Sequence, residues 1–382
     1  LHYPLRRQRQ MCIRDSDGMQ DALHFVEDPV IVLANGVNPL DDKPREGYHQ
    51  RVATVDSYLN ARNRVYIKVN PAIGDGRNLR QFGPGCLELE IGQQYGPSVA
   101  HLFRRAPAIY SHSIFPLLPE QARHLASLRT GKLIVDMHGV VPEETAFLGD
   151  AERALTLGQL ESWAVLEADV LIHVTRQMAK HFRAKYAWCD AVDIVSPIFP
   201  ETSLRELQGH QPNGTVVYAG GAQAWQMVDC IVEAIRASLQ TYTATILTHE
   251  PEIFRDKFLA RGCPVDGDRL SIYAARPAEV REVYAESSYG ILCRERHILN
   301  RVACPTKLIE YLSFGVLPVM GTPEVGDFAD LGMRYATMDD LAQRRLPVGE
   351  DYAHMITSNF AVLDQLAELA QNGRKQLLAQ IG

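Results

Sequence analysis

The chain has 382 residues, 46% hydrophobic and 22% charged, a balance that suits two globular domains and excludes a disordered or fibrous chain. A net charge of −7 at pH 7 excludes the basic footprint of a nucleic-acid binder. No apolar run reaches the length of a membrane span, so any membrane contact is expected to be peripheral.

Residues 1–16 stand apart. Met11-Cys-Ile-Arg-Asp-Ser16 reads as the translation of a transposon-derived sequencing adapter. The stretch is therefore set aside as an artefact or a disordered tail, and its Arg6-Arg7-Gln8-Arg9 run carries no targeting meaning. From residue 29 short apolar runs alternate with helical patterns. Val30–Ala34 predicts a strand ending at the Asn35-Gly36 turn, residues 51–59 a helix, and Arg64–Val69 a strand. Residues 71–85 hold four glycines and little periodicity, and read as a loop. Strands follow at 108–112, 132–136, 170–174 and 192–195, with helices at 119–128, 151–168 and 178–186 between them.

Residues 197–213 change character, with three prolines and a Pro212-Asn213-Gly214 turn, and read as a linker. A second series follows. Strands are expected at 215–218, 244–247, 270–273, 289–293 and 316–320, and helices at 228–237, 254–260 and 277–287. A long C-terminal helix covers about 351–378. Asp266-Gly-Asp268 reads as a turn and not a metal-binding acid pair. Short strands alternating with helices imply parallel sheets built from right-handed crossovers. The expected fold is thus α/β with two Rossmann-like, doubly wound domains facing across a cleft. The divisions are 17–197 for the first domain, 198–214 for the linker, 215–350 for the second, and 351–382 for a helical segment that crosses back.

The seven cysteines are scattered with no C-x-x-C pair, which reads as reduced thiols in a cytoplasm. The most informative stretch is Cys304-Pro-Thr-Lys-Leu-Ile-Glu-Tyr-Leu-Ser-Phe-Gly-Val-Leu-Pro-Val-Met320. It predicts a helix entered at Pro305, closed by Gly315 in a left-handed conformation, and followed by a buried strand. Lys307 and Glu310 are three apart and share a face near the helix start. A cation, a carboxylate and free helix N–H groups suit a ligand with both phosphates and a vicinal diol. Three other loops carry candidates. Tyr218-Ala-Gly220-Gly221 brings backbone N–H groups toward a phosphate. Asp136-Met-His138-Gly follows an apolar strand, with Glu143 and Glu144 as helix-start acids. Cys293-Arg294 ends a strand six residues before Asn300. Thr175 and Arg176 end another strand, where Thr175 also suits an N-cap.

The 304–320 stretch resembles the nucleotide-sugar-binding element of GT-B glycosyltransferases, in particular retaining family 4. Arg294 at a strand end and Asn300 before Pro-Thr306-Lys resemble a bacterial polysaccharide-type subgroup. The resemblance implies that Glu310 grips the donor ribose. It also implies that Gly220, Gly221, Arg294, Asn300, Thr306 and Lys307 hold the donor, and that His138 approaches the sugar and diphosphate. Arg294 and Lys307 would stabilise the leaving diphosphate, and Asp136, Glu143, Thr175 and Arg176 would belong to the acceptor side. Two departures are visible. The family's usual basic residue in the loop after residue 218 is missing, and Val302 stands eight residues before Glu310 where many members carry a second Glu.

The expected activity is sugar transfer from a nucleotide-diphosphate donor to a saccharide, lipid-linked or small-molecule acceptor, with no metal and no cofactor. The expected place is the cytoplasm, including the inner face of the membrane. A sugar-nucleotide epimerase of the same fold and a non-catalytic sugar- or nucleotide-binding protein are the alternatives.

Overall fold

A computed structural model describes residues 12–13, 26–37, 39, 47–92, 94, 96–199, 212–265 and 267–382. Most of residues 1–16, most of the expected linker, and Asp266 of the expected turn lie outside them. The chain divides into two compact units. One comprises the chain up to Val174, Ala179–Ile198 and Gln371–Gly382; the other comprises Thr175–Met178 and Phe199–Ala370.

The first unit carries nine strands: β1 (Cys12–Ile13), β2 (Val30–Leu33), β3 (Arg64–Val69), β4 (Arg77–Gly83), β5 (Cys86–Ile91), β6 (Ala108–His112), β7 (Lys132–Met137), β8 (Val170–His173) and β9 (Val192–Val195). They form one sheet in the order β1-β4-β5-β3-β2-β6-β7-β8-β9. Every pairing is parallel except β1 with β4 and β4 with β5. The central strands are mainly apolar because a parallel sheet is covered on both faces; β2, β6 and β8 are buried along their whole length, with polar residues at the carboxyl ends of β6 and β8.

The expected loop at 71–85 is instead a short 3-10 turn, Pro71–Ile73, followed by β4, which makes a hairpin with β5. Glycines and charge hid this strand. It sits near the sheet edge, so its stabilising partners are polar: Arg80 donates to Glu88 and Asn78 donates to Glu90 across the pair. Cross-strand pairs of this kind carry no apolar alternation to read in a sequence.

The second unit carries β10 (Thr215–Ala219), β11 (Thr243–Leu247), β12 (Leu270–Tyr273), β13 (Tyr289–Leu292), β14 (Leu317–Met320) and β15 (Ala336–Thr337). Their order is β12-β11-β10-β13-β14-β15 and all pairings are parallel. The sheet is doubly wound, since β10 lies between β11 and β13 and the order reverses there. Ligands of such sheets bind beyond the carboxyl ends of the strands at that reversal. The two loops placed there are those that follow Ala219 and Leu292.

The C-terminal helix Gly349–Ile381 belongs to the second unit up to Ala370 and to the first from Gln371. Tyr352 and Ile356 join the second core, while Leu377 and Ile381 join the first with Val30, Ile134 and Ile172. Gly373 allows the backbones to approach there, because a Cβ on it would lie 2.7 Å from the Val195 carbonyl oxygen.

Candidate functional site

The helix Thr306–Ser313 is built to dock tightly on the second sheet. Leu308, Ile309, Tyr311 and Leu312 are buried. The Tyr311 ring rests on β13 at Gly290, where a Cβ would lie 2.7 Å from it. The Tyr311 hydroxyl donates to the Ile291 carbonyl at 3.2 Å and accepts from the Ala219 N–H at 3.4 Å. One side chain thus ties the helix to both strands of the reversal. Gly315 closes the helix at φ 67°, the left-handed end expected of it. Pro305 is the N-cap and offers no side-chain acceptor, so the first helical N–H groups have no side-chain cap.

This docking brings Lys307 to the Gly220 loop. Its ammonium lies 4.6 Å from the centroid of the Tyr218 ring, and a Cβ on Gly220 would lie 2.3 Å from Nζ. Glycine is required at 220 for the lysine to reach this position. The stem of Lys307 is partly exposed, but Nζ is enclosed and has no hydrogen-bond acceptor among the described residues. Burial, then the neighbouring Arg294 charge, push the ammonium down to about 7, against the pull of Glu310.

Arg294 follows β13. Its Nη1 donates to the Asn300 side-chain oxygen at 3.2 Å, and its Nε is buried with no acceptor among the described residues. Burial lowers the guanidinium to about 10, which leaves it charged at neutral pH. Asn300 is fully buried and fixed by its own donation to the Glu295 carbonyl at 2.8 Å. Glu310, one turn after Lys307, is raised by burial; a hydrogen bond from Tyr284 and the charges of Lys307 and Arg281 pull it back. Two enclosed basic groups with unused donors among the described residues, beside an uncapped helix start, offer the chemistry that a polyanion needs. Glu310 adds an acceptor for hydroxyl groups. Glu310→Gln is expected to weaken donor binding by about 1–3 kcal/mol, the scale of a hydrogen bond to a charged group; calorimetry with a nucleotide sugar checks this, and unchanged affinity in a folded variant refutes it.

The rest of the Gly220 loop is less open than its sequence implies. The Ala222 N–H donates to the Glu250 carboxylate at 2.8 Å, and the Tyr218 hydroxyl donates to the Gly221 carbonyl at 2.7 Å. Met227, which ends the loop, holds φ 48°, a left-handed position that strains a residue other than glycine. Thr306 is the first residue of the helix.

In the first unit, Asp136, expected to face a ligand, is fully buried and its oxygens are occupied. Arg51 donates from Nε to Oδ2 at 2.7 Å and from Nη2 to Oδ1 at 3.1 Å, and the Tyr110 hydroxyl donates to Oδ2 at 2.6 Å. Burial opposes the charge of Asp136, yet Arg51 and His138 hold its carboxyl well below the usual range. Nε2 of His138 lies 3.3 Å from Oδ2 and 3.4 Å from Nδ1 of His112. His112 is fully buried, and burial keeps its imidazole well below its ordinary value and hence neutral. His138 retains partial exposure, whereas the Asp136 and His112 side chains are inaccessible.

The spacing of His112, Asp136 and His138 matches a three-ligand metal face, the one such group among the described residues. The electrostatics do not fit. The carboxylate oxygen that a metal would need already accepts from a guanidinium and a phenol, and the Arg51 charge beside it would repel a cation. Arg51 and His112 are missing from the sequence reading. They stand 85 and 24 residues from Asp136, on elements with no motif of their own.

Three other expected residues are engaged. Glu143 accepts from Lys185 at 2.7 Å and lies 3.2 Å from His181, within an ion cluster that includes Glu161. Thr175 accepts the Met178 N–H at 3.0 Å as an N-cap and donates to the Val302 carbonyl at 2.7 Å. The Arg176 N–H donates to Asp327 at 2.7 Å.

No family model and no curated protein sequence matches the chain. Solved structures do match. A trehalose-6-phosphate synthase from E. coli bound with UDP-2-fluoro glucose is 13% identical, with a TM-score of 0.61 over 92% of this chain and 98% of its own. The UDP-forming α,α-trehalose-phosphate synthase of Burkholderia vietnamiensis is 12% identical, with a TM-score of 0.60 over 92% and 99%. That of Burkholderia xenovorans, in complex with glucose-6-phosphate, is 13% identical with a TM-score of 0.57 over 92% and 99%. These likenesses show the fold, which is the GT-B fold.

Proposed function

We propose that the protein is a glycosyltransferase that moves a sugar from a nucleotide-diphosphate donor to an acceptor hydroxyl. The observation that carries this is the enclosed pair Lys307 and Arg294, with unused donors at the strand-order reversal of a GT-B unit. A diphosphate leaving group develops negative charge as the glycosidic bond breaks, and fixed cations in a poorly solvated site stabilise that charge. Glu310 and the Gly220-Gly221 loop complete the donor side, with Asn300 holding Arg294 and Thr306 opening the helix. His138 is assigned to the same reaction by the resemblance of its loop. The acceptor roles of Glu143, Thr175 and Arg176 rest on the resemblance alone; the Glu143 and Thr175 side chains also make structural contacts, whereas Arg176 gives only its backbone N–H to Asp327.

The structural neighbours support this reading through what is bound to them: a UDP-sugar analogue in one and glucose-6-phosphate in another. One neighbour is described as transferring glycosyl groups with retention. Retention, membership of family 4, a role in polysaccharide or glycoconjugate synthesis and a cytoplasmic setting are parts of the same proposal. The 17–197 and 215–350 domains, with a linker between them, belong to it too. Among the described residues no helix is long and apolar enough to cross a membrane.

The test is product analysis with a panel of nucleotide sugars, beginning with UDP-glucose, and acceptors beginning with hexose phosphates. Formation of a glycoside with release of the nucleoside diphosphate is the expected result. Hydrolysis or epimerisation without acceptor refutes transfer. Because Lys307 and Arg294 supply the positive charge, the reaction is expected to survive exhaustive chelation. Loss of activity to chelator, restored by magnesium or manganese, contradicts the metal-free form.

A further inference from the structure

The polyanion site has a feature beyond its charge. Lys307 is enclosed at its tip, and the position of that tip is set on every side. The Tyr218 ring lies beneath it, Gly220 lies against it, and the Arg294 guanidinium is close enough to repel it. On its own helix Glu310 is the only acid that draws it, and that carboxyl is itself engaged with Tyr284 and Arg281. Glu250 interacts with Tyr218, the ring beneath the ammonium, and accepts from Ala222 on the Gly220 loop. The Tyr218 and Tyr311 hydroxyls are held in their neutral forms by burial first of all. The free protein therefore sets two basic groups side by side in an enclosed site, with Glu310, an acid raised by burial, on the same helix as Lys307.

We propose that binding of a nucleoside-diphosphate sugar draws one proton from solvent onto Lys307, so that donor affinity falls as the medium becomes alkaline. This rests on the donor-site reading above and adds its proton linkage. In the free enzyme part of the amine is neutral near pH 7, because a second charge beside Arg294 is desolvated and has no acceptor among the described residues. The burial and repulsion that push Lys307 down to about 7 give this a physical scale. An arriving diphosphate brings negative charge and hydrogen-bond acceptors, and the charged form is then favoured. The proton balance is simple: amine plus one solvent proton gives ammonium, and the diphosphate diester keeps its own charge. Because the bound state holds the higher pKa, the stabilisation is fully present below the free value and is lost as pH rises through the bound value.

The measurement is calorimetry of the full chain with UDP-glucose, in buffers of different ionisation enthalpy. UDP-glucose has no phosphate group that titrates near neutrality. Close to one proton is expected to be taken up at pH 8, about half at pH 7, and affinity should drop more than about tenfold between pH 7 and 8.5. Lys307→Met is expected to bind more weakly, without uptake and with a flat pH response. Lys307→Arg, charged in both states, should also be flat. Circular dichroism and thermal melting establish that each variant is folded.

Tight binding with no proton uptake and a flat pH profile overturns the linkage and leaves the donor site standing. Uptake that persists in Lys307→Met overturns it as well, since the proton then goes elsewhere. If neither UDP-glucose, GDP-mannose, ADP-glucose nor inorganic pyrophosphate binds, the donor-site reading itself falls and the linkage falls with it.

Discussion

Arg51→Ala is expected to lower unfolding stability by about 3–5 kcal/mol, the cost of leaving one partner of a buried ion pair uncompensated. Both Arg51 and Asp136 are essentially inaccessible, at 1% and 0% exposure. The guanidinium satisfies both carboxylate oxygens and also donates from Nη1 to the Ser196 carbonyl at 2.8 Å. Its removal leaves a buried anion with Tyr110, His138 and His112 as its remaining neighbours, plus the Ser196 carbonyl without its Arg51 donor. The double variant Arg51→Leu/Asp136→Leu should recover much of the loss, because no charge then remains buried. Urea denaturation of the parent and both variants decides the matter; a single variant within about 1 kcal/mol of the parent rules out the pair as a structural keystone. The pH sign follows from Asp136. Its folded value lies below the usual carboxylate range, so the pair's contribution is present above about pH 3.9 and is lost as pH falls through the folded value. The gap between parent and variant should therefore narrow only in strong acid.

The fold was legible where apolar period and punctuation agreed. Val30–Leu33, Ala108–His112 and Tyr289–Leu292 are buried throughout, and each shows in the sequence as a short, mainly apolar run. The helix Thr306–Ser313 was legible for a further reason: Pro305, the Lys307–Glu310 spacing and Gly315 mark its start, its polar face and its end. The hairpin of β4 and β5 was not legible, because Arg80 with Glu88 and Asn78 with Glu90 do the work that apolar alternation does elsewhere. Site residues followed the same logic. Lys307, Arg294 and Gly220 sit at strand ends and a helix start, and topology brings such places together at the sheet reversal. What a motif does not encode is the partner that arrives from a distant element. Arg51 reaches Asp136 from a helix 85 residues away, and Lys185 reaches Glu143 from 42 residues away. Those contacts turn two acids expected at a ligand into one buried anchor and one member of an ion cluster.

Arg294→Lys is expected to reduce turnover about 10- to 100-fold at saturating donor, and Arg294→Ala about 100- to 1000-fold, the range for loss of one preorganised charged donor. Three features support a role in the transition state rather than in the fold. The side chain hangs from a loop and not from the core. Among the described residues only Nη1 has an acceptor, and that acceptor, Asn300, is itself fixed by the Glu295 carbonyl. Nε is buried and unused among the described residues. A planar fork held by one corner presents its remaining donors to two phosphate oxygens at once, whereas a lysine ammonium offers a point charge that must rotate to do the same. The charge on the leaving diphosphate grows as the bond breaks, so the loss should fall more on kcat than on donor affinity. Steady-state kinetics over a donor range, beside calorimetric affinity for the same nucleotide sugar, separates the two. A variant whose affinity falls while kcat is untouched would assign Arg294 to ground-state binding, and a folded Arg294→Ala with parental kcat and affinity would remove it from the site.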